Sequence, residues 1–181
     1  YIGGSSMGAV VGALYAAGYS ASQIETLFLQ SDLNLLIRDQ YPRRSMSFTE
    51  KEDRERYAIT LPFDRFQIQF PSALSRGQDV YNLLVQLLHD VHNVKDFDNL
   101  PIPFFCTATD IETGELAVLD QGFLPLAVNA SSALPTLFSP VAIGDKLYID
   151  GGVADNYPVE HMQAQNVDFI IGVDVQSGLI Q

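Results

Sequence analysis

A serine in a glycine-rich turn is the first residue of this chain that is placed to do chemistry. Gly4, Ser6 and Gly8 have the spacing G-x-S-x-G, which is typical of a strand-to-helix turn that holds a nucleophilic serine in a strained backbone conformation. We expect a side chain at Gly4 or Gly8 to collide with the neighbouring strand or helix. A pattern centred on Ser5 would need glycine at Met7, so the spacing selects Ser6 as the candidate nucleophile.

The residues after Ser6 predict that this serine begins a helix. Small and apolar residues run from Ala9 to Ala17 and end at Gly18, a plausible C-terminal cap. The N–H groups at a helix start favour developing negative charge, and the backbone N–H of Met7 is the expected oxyanion donor. A plain Gly/Ser-rich turn or a phosphate cradle also fits this pattern, so the motif alone leaves the function open.

A serine hydroxyl needs a base within hydrogen-bond reach, and the three histidines are the first candidates. His89 and His92 fall at the end of a predicted amphipathic helix, where polar residues are common. His161 follows Ser6 and several acids, so the chain order of an α/β-hydrolase triad is available. Nothing around His161 indicates an exposed, glycine-flanked catalytic loop, and we rank such a triad below a carboxylate base.

Asp150 is the preferred base. It ends an apolar strand pattern, and Gly151 and Gly152 follow directly, which leaves space beside the carboxylate and brings backbone amides near it. Taken alone, Asp-Gly-Gly also fits an ordinary turn. A carboxylate is a weak base in water, so the hypothesis needs a site that excludes water. The apolar neighbours expected to do so are Leu134, Leu137 and Phe138.

Alternating helix and strand patterns predict the framework that must position these residues. Helical patterns cover 9–17, 21–30, 32–37, 80–91, 126–134 and a segment opened by Pro158. Strand patterns cover 57–61, 66–70, 102–109, 116–119, both sides of Gly144-Asp145, and 169–175. Residues 40–56 are polar and are expected to form a surface excursion. The alternation indicates an α/β fold with a mixed sheet and helices on both faces, with Ser6 at a carboxyl edge of that sheet.

Composition excludes several classes of function. The 181 residues include 10 Lys+Arg and 22 Asp+Glu, a net charge of −12 that would repel nucleic acid. No apolar run reaches the roughly 20 residues of a membrane-spanning helix. The single cysteine, Cys106, excludes an internal disulfide and a cysteine metal cluster. The acidic residues show no calcium-loop spacing, and no metal or other cofactor is expected.

Four segments together resemble the patatin-like phospholipases. They are 4–18, 107–114, 130–135, and Asp150-Gly151-Gly152 with Asn156-x-Pro158. They occur in the family's order and span nearly the whole chain. The resemblance implies a patatin-like sandwich with a central mixed, mainly parallel sheet. It also implies lipid acyl hydrolysis, of phospholipase A or esterase type, by a Ser-Asp dyad without histidine. By this correspondence Ser6 is the nucleophile and Asp150 the base, supported by Gly4, Gly8, Gly151 and Gly152.

A narrower resemblance concerns the setting of the domain. Segments 42–45, 75–78 and 172–176 are similar to bacterial patatin-like proteins whose catalytic domain precedes an outer-membrane barrel. This implies a cell-envelope location, with a cytoplasmic one as the alternative, and a chain that continues past Gln181. The family's oxyanion loop lies upstream of the nucleophile. We therefore expect residues 1–181 to be a single catalytic domain that lacks the upstream strand and loop.

Several functions remain open after this comparison. The expected substrate is a phospholipid or another fatty-acyl ester, with contact to a membrane surface through apolar residues of the segment 40–70. An acyltransferase would use the same dyad but pass the acyl group to another acceptor. A histidine-dependent esterase would depend on His161 instead of Asp150. A non-catalytic envelope module would have no reactive serine.

Overall fold

A computed structural model describes residues 1–32, 63–64, 67–68, 75–165 and 167–175. In these residues the helices are α1 (Met7–Ala16), α2 (Ala21–Gln30), α3 (Gln78–Leu87), α4 (Leu124–Ser131) and α5 (Val159–Gln163). The strands are β1 (Ile2–Ser5), β2 (Phe63–Asp64), β3 (Gln67–Ile68), β4 (Phe104–Asp110), β5 (Leu116–Leu119), β6 (Val141–Ile143) and β7 (Lys146–Asp150). Short 3-10 turns occupy His89–Val91, Phe97–Asn99 and Gly151–Val153.

The main sheet is mixed and is built around the buried strand β4. β4 pairs in parallel with β1, and antiparallel with β5 and β7, while β6 pairs antiparallel with β7. The expectation of a mainly parallel sheet is therefore wrong for the described strands, among which one pairing is parallel. The reason is local, because β4–β5 and β6–β7 are joined by short turns, and such hairpins must be antiparallel.

Helices cover both faces of this sheet, as the alternation of patterns predicts. On one face α1 lies so close to Ile2 and Phe104 that a Cβ at Gly12 would come within 3.0 Å of the Ile2 side chain. α4 packs on β4, β6 and β7 and against α1 and α3. On the other face the ring of Phe105 meets the His161 ring of α5 edge-on, with centroids 4.8 Å apart.

Helix starts follow their sequence signals more closely than helix ends do. Ser20 and Gln23 form the expected capping box at the start of α2. α3 begins after Gly77 and ends at Leu87, four residues before the end of the periodic pattern. The remaining residues form the 3-10 turn that ends at Val91, whose side chain is still buried in the core. The apolar periodicity therefore marks core contacts beyond the α-helix itself.

The predicted strand at 169–175 is wrong. The structure assigns no strand to residues 167–175, and the side chains of Phe169, Ile171 and Val175 are 76%, 82% and 89% exposed. An alternating apolar segment becomes a strand only when a neighbour offers a ladder of hydrogen bonds, and no described strand pairs with this one.

Other predictions concern residues 32–70, of which the structure describes only a few. The hairpin between 57 and 70 is seen as the two-residue strands β2 and β3, and β2 lies in the residues expected to form the turn. The predicted strand at 57–61, nearly all of the helix at 32–37 and the excursion at 40–56 lie outside the described residues. None of the described helices has both the length and the apolar character needed to cross a membrane.

Candidate active site

The strand-to-helix turn at Ser6 has the strained geometry that the spacing predicts. Ser6 caps α1 with φ 54° and ψ −125°, and a positive φ is uncommon for a residue with a side chain. Gly4 is required by packing, because a Cβ there would lie 2.5 Å from the carbonyl oxygen of Gly8. The collision expected at Gly8 does not occur with any residue that the structure describes, since a Cβ at this exposed position would meet none of them within 4 Å.

The sheet brings the carboxyl ends of β1 and β7 together. In the strand register, Ser5 of β1 pairs with Thr107 of β4, and Asp150 of β7 pairs with the next residue of β4, Ala108. β5 pairs with both Thr107 and Ala108 and fills one edge of β4, so β1 and β7 must share the other. Because β1 is parallel and β7 antiparallel to β4, their last residues face each other along this edge.

The two candidate side chains meet at this junction, although they are 144 residues apart in sequence. Ser6 Oγ donates a hydrogen bond of 2.5 Å to Asp150 Oδ2. The other carboxylate oxygen, Oδ1, accepts a 2.8 Å hydrogen bond from the backbone N–H of Gly152. Asp150 is only 2% exposed. One carboxylate oxygen is thus fixed by the backbone while the other faces the serine hydroxyl, which is the arrangement a proton acceptor needs.

Both glycines after Asp150 are held by close packing. A Cβ at Gly151 would lie 2.2 Å from the carbonyl oxygen of Thr107 in β4. A Cβ at Gly152 would lie 2.5 Å from Oδ1 of Asn156. Only a residue without a side chain lets the chain leave β7 this close to β4. The Asp-Gly-Gly segment therefore fixes the position of the carboxylate.

The end of α4 supports both candidate residues, a role that sequence reasoning did not assign. The hydroxyl of Ser131, which is fully buried, accepts a 3.2 Å hydrogen bond from the Ser6 N–H. Two residues later, the carbonyl oxygen of Ala133 accepts a 3.0 Å hydrogen bond from the Asp150 N–H. The resemblance included this segment, but no local pattern indicates which backbone groups it would reach.

Thr109 of β4 is a second contact that sequence reasoning did not identify. Its hydroxyl donates a 2.8 Å hydrogen bond to the carbonyl oxygen of Asp150 and accepts a 3.2 Å hydrogen bond from the N–H of Ala154. Thr109 thereby joins β4 to the residues on both sides of the Gly-Gly turn. The strand pattern predicted over 102–109 includes this threonine, but it does not reveal the partner.

The other candidate nucleophiles and bases lie elsewhere. His161 packs on Phe105 across the sheet from α1, and His89 and His92 are exposed and stack on each other. Burial raises the pKa of the Cys106 thiol well above its ordinary value, so this thiol stays protonated and unreactive near neutral pH. Ser6 and Asp150 are the pair that the structure brings together.

A cavity of about 220 Å³ opens beside Ser6. Its walls come from α1, α2, α3 and the segment 132–138. Leu134, Leu137 and Phe138 line it as apolar neighbours on the serine side of the dyad. Met7 also borders it, and as the first residue of α1 it offers one of the N–H groups that have no partner within a helix. A larger open groove of about 480 Å³ between α5 and residues 167–172 includes neither Ser6 nor Asp150, so we do not assign it to the dyad.

Comparisons with known proteins indicate the family to which the chain is similar. The profile of a family described as "Patatin-like phospholipase" matches residues 1–162. An uncharacterized NTE family protein of Mycobacterium tuberculosis is 28% identical over 174 residues, covering 96% of this chain and 40% of the relative. A lysophospholipase NTE1 of Candida albicans is 26% identical over 176 residues, covering 97% of this chain and 11% of the relative. The chain thus spans less than half the length of these relatives.

Proposed function

The chain belongs to the patatin-like phospholipase family, and we propose that it is a serine hydrolase that cleaves fatty-acyl esters of lipids. The hydrogen bond from Ser6 Oγ to Asp150 Oδ2, 2.5 Å long, carries the proposal, because it joins a hydroxyl at a strained helix start to a buried carboxylate. The similarity to relatives named lysophospholipase supports a lipid ester as the substrate.

In the proposed mechanism the dyad works in two steps. Asp150 accepts the hydroxyl proton while Ser6 Oγ attacks the ester carbonyl carbon, and the Met7 N–H stabilises the resulting oxyanion. The proton then passes to the leaving alcohol, and an acyl-enzyme remains on Ser6. In the second step Asp150 takes a proton from water, the hydroxide attacks the acyl carbon, and the fatty acid leaves as Ser6 regains its proton.

The first experiment asks which side chains react. A fluorophosphonate probe should label the purified full-length protein, and Ser6→Ala should abolish both labelling and hydrolysis of a lysophospholipid. Asp150→Asn should lower kcat by at least about two orders of magnitude, since it removes the base. Ser5→Ala, the neighbouring hydroxyl, and His161→Ala should each keep most of the activity.

Two results would contradict this assignment. Labelling that persists in Ser6→Ala would place the nucleophile elsewhere, and loss of activity in His161→Ala but not in Asp150→Asn would favour a histidine-dependent esterase. Product analysis with added lysolipid or alcohol separates hydrolysis from acyl transfer. Free fatty acid as the main product supports the hydrolase, and acylated acceptor as the main product supports the acyltransferase.

We also propose that a lipid surface contacts the protein next to Ser6, at Met7, Leu134 and Val153, which we call the mouth of the site. Met7, Leu134 and Val153 are 52%, 48% and 56% exposed, and they belong to the three segments that contain or flank the dyad. Exposed apolar side chains around a site for lipid esters suit contact with a membrane surface. The segment 40–70, which sequence analysis predicted to make this contact, lies almost entirely outside the described residues.

The cellular setting is a separate proposal that rests on the sequence alone. The likeness of segments 42–45, 75–78 and 172–176 supports a bacterial envelope protein of the subgroup in which the catalytic domain precedes an outer-membrane barrel. Cell fractionation with immunodetection of the full-length protein tests it, and recovery in the cytosol would contradict it.

A further inference from the structure

The cavity beside Ser6 is apolar along its whole depth. Leu14 of α1, Phe28 of α2 and Leu84 of α3 contribute to its walls, and no charged side chain lines it among the residues that the structure describes. A charged headgroup would lose its hydration in such a space without gaining a partner. The walls therefore suit an uncharged alkyl group.

The few hydroxyls in the lining do not change this conclusion. Ser31 Oγ already donates a 2.6 Å hydrogen bond to the carbonyl oxygen of Leu27. Ser132 Oγ donates a 2.9 Å hydrogen bond to the carbonyl oxygen of Val128. Both serines thus use their donors within their own helical turns. The remaining hydroxyl is that of Ser6, the proposed nucleophile, at the mouth.

Tyr19 joins two residues of the cavity wall, Leu14 of α1 and Leu87 of α3. The backbone N–H of Tyr19 donates to the carbonyl oxygen of Leu14 at 3.1 Å, and its hydroxyl donates to the carbonyl oxygen of Leu87 at 2.8 Å. Leu14 and Leu87 are therefore bridged by one residue, and we take the part of the wall that they form as the floor of the cavity. Ser6 and Leu14 are eight residues apart along α1, a rise of roughly 12 Å.

The start of α3 lies at the opposite end, near the mouth. A Cβ at Gly77, just before α3, would lie 3.3 Å from the ring of Phe138, which lines the cavity together with Ser6. α3 thus borders the cavity from its start, near Phe138, to Leu87, which Tyr19 joins to Leu14 of α1. We refer to the cavity between these residues as the tunnel.

We propose that this tunnel binds the acyl chain of the substrate and limits it to medium length, with Leu14 and Leu87 as the floor. The proposal rests on the proposed function, because it takes the scissile ester to lie at Ser6. An apolar cavity of about 150 Å³ holds a ring of six carbons, so the 220 Å³ found here holds about nine. Nine carbons joined by bonds of about 1.5 Å span roughly 10 Å in zigzag, which matches the depth along α1.

One chain fills the tunnel. A second acyl chain of the same lipid would have to lie outside it, where exposed apolar residues of the mouth offer less burial. The preferred substrate is therefore an ester with a single medium-length chain, of about eight to ten carbons, and longer chains leave carbons unburied or strain the floor.

The first test uses the full-length protein and p-nitrophenyl esters with chains of 4 to 16 carbons, sizes chosen around the estimate from cavity volume. Up to the limit, each added methylene should raise kcat/KM by at most about fourfold. The optimum should lie at about eight to ten carbons and fall beyond it. A flat profile, or an optimum at 16 carbons, would overturn the proposal.

The second test changes the size of the side chain at position 87, which we assign to the floor of the tunnel. Leu87→Ala removes three carbons and should shift the optimum by about two to three carbons toward longer chains, while Leu87→Phe should shift it toward shorter ones. Leu29→Ala makes the same change on a side chain of α2 that is 80% exposed and does not line the cavity, so it should leave the optimum in place. Folded variants, checked by thermal melting, whose optimum matches that of the wild type would contradict the assignment of Leu87.

A binding measurement separates failure of this proposal from failure of the proposed function. The Ser6→Ala protein, which cannot form an acyl-enzyme, should bind decanoate more tightly than palmitate in calorimetry, and Leu87→Ala should reduce that difference. Such selectivity without hydrolysis by the wild type would support the acyl-chain tunnel and contradict the proposed hydrolase function. Hydrolysis without chain selectivity would support the hydrolase function and contradict the tunnel.

Discussion

At the scale of single residues, the environment of Ser6 shows how a strained nucleophile is kept in place. Its backbone holds φ 54°, a conformation that costs on the order of 1 kcal/mol or more unless neighbours stabilise it. The Ser131 hydroxyl accepts the Ser6 N–H at 3.2 Å, and this bond comes from a helix remote in sequence. Ser131 is therefore a positioning residue, since it acts on the backbone and not on the reacting atoms.

We expect Ser131→Ala to lower kcat by about three- to tenfold, the worth of one hydrogen bond, while KM stays nearly constant. The measurement is kcat per active site titrated with the fluorophosphonate probe, so that unfolded protein does not count. Thr26→Ala removes an exposed hydroxyl that bonds within its own helix and does not line the cavity, and serves as the control. An unchanged kcat per titrated site in Ser131→Ala would show that the hydroxyl has only a structural role.

At the scale of secondary-structure elements, the turn between β1 and α1 depends on one of its two motif glycines more than on the other. A Cβ at Gly4 would lie 2.5 Å from backbone of α1, whereas a Cβ at Gly8 would point into open space. The G-x-S-x-G spacing is thus not explained by sterics at both positions. At Gly8 the structure gives no packing reason for the absence of a side chain.

Gly4→Ala should therefore destabilise the protein by a few kcal/mol, about the cost of an overpacked core position. Gly8→Ala should leave stability unchanged or raise it by up to about 1 kcal/mol, since alanine favours a helix over glycine. Thermal and urea unfolding of the two variants measure both effects. Equal destabilisation by the two substitutions would mean that Gly8 is packed in a way that the structure does not show.

Elements with their own local signals could be predicted from the sequence, whereas their pairing could not. The Ser20–Gln23 capping box placed the start of α2, and Gly144 with φ 62° occupies the expected turn between β6 and β7. β1 and β7 join the same edge of β4 in opposite directions. No local pattern in β7 specifies its direction relative to β4, so the prediction of a mainly parallel sheet was wrong.

The same distinction applies to the site. Ser6 and Asp150 were identified because each stands in a recognisable local motif, and the resemblance to the patatin-like phospholipases linked the two motifs. Ser131, Ala133 and Thr109 contact them through tertiary structure, and nothing in their immediate sequence distinguishes them from ordinary core residues. The strand expected at 169–175 failed for the related reason that its pairing partner cannot be read from its own residues.

At the scale of the whole molecule, a net charge of −12 must be reconciled with the proposed contact with lipid. The charge opposes approach to anionic lipid headgroups, and salt screens this repulsion. Val153, 56% exposed in the turn after Asp150, and its apolar neighbours at the mouth add an attraction that does not depend on lipid charge. The two effects differ in their response to lipid composition and to salt.

We expect the 181-residue chain, whose charge is −12, to bind phosphatidylcholine vesicles several-fold more tightly than phosphatidylglycerol vesicles at low salt, with a smaller difference at high salt. Val153→Asp should weaken binding to both by about tenfold, since it removes an apolar contact and adds a charge. Tyr15→Asp adds the same charge on α1, roughly 13 Å along the helix axis from Ser6, and should have a much smaller effect. Co-sedimentation measures these affinities, and equal losses in the two variants would argue against contact through the mouth.

The two hydrogen bonds from the end of α4 have a consequence for how such a catalyst fails. Ser131 steadies the backbone of the nucleophile, and Ala133 steadies that of the base. Any loosening of this short stretch removes both supports in the same event. Inactivation by heat or denaturant should therefore be abrupt, with no intermediate in which only Ser6 or only Asp150 is correctly placed. Mutations that make residues 131–133 more rigid should protect activity more than the change that they cause in the free energy of unfolding would suggest.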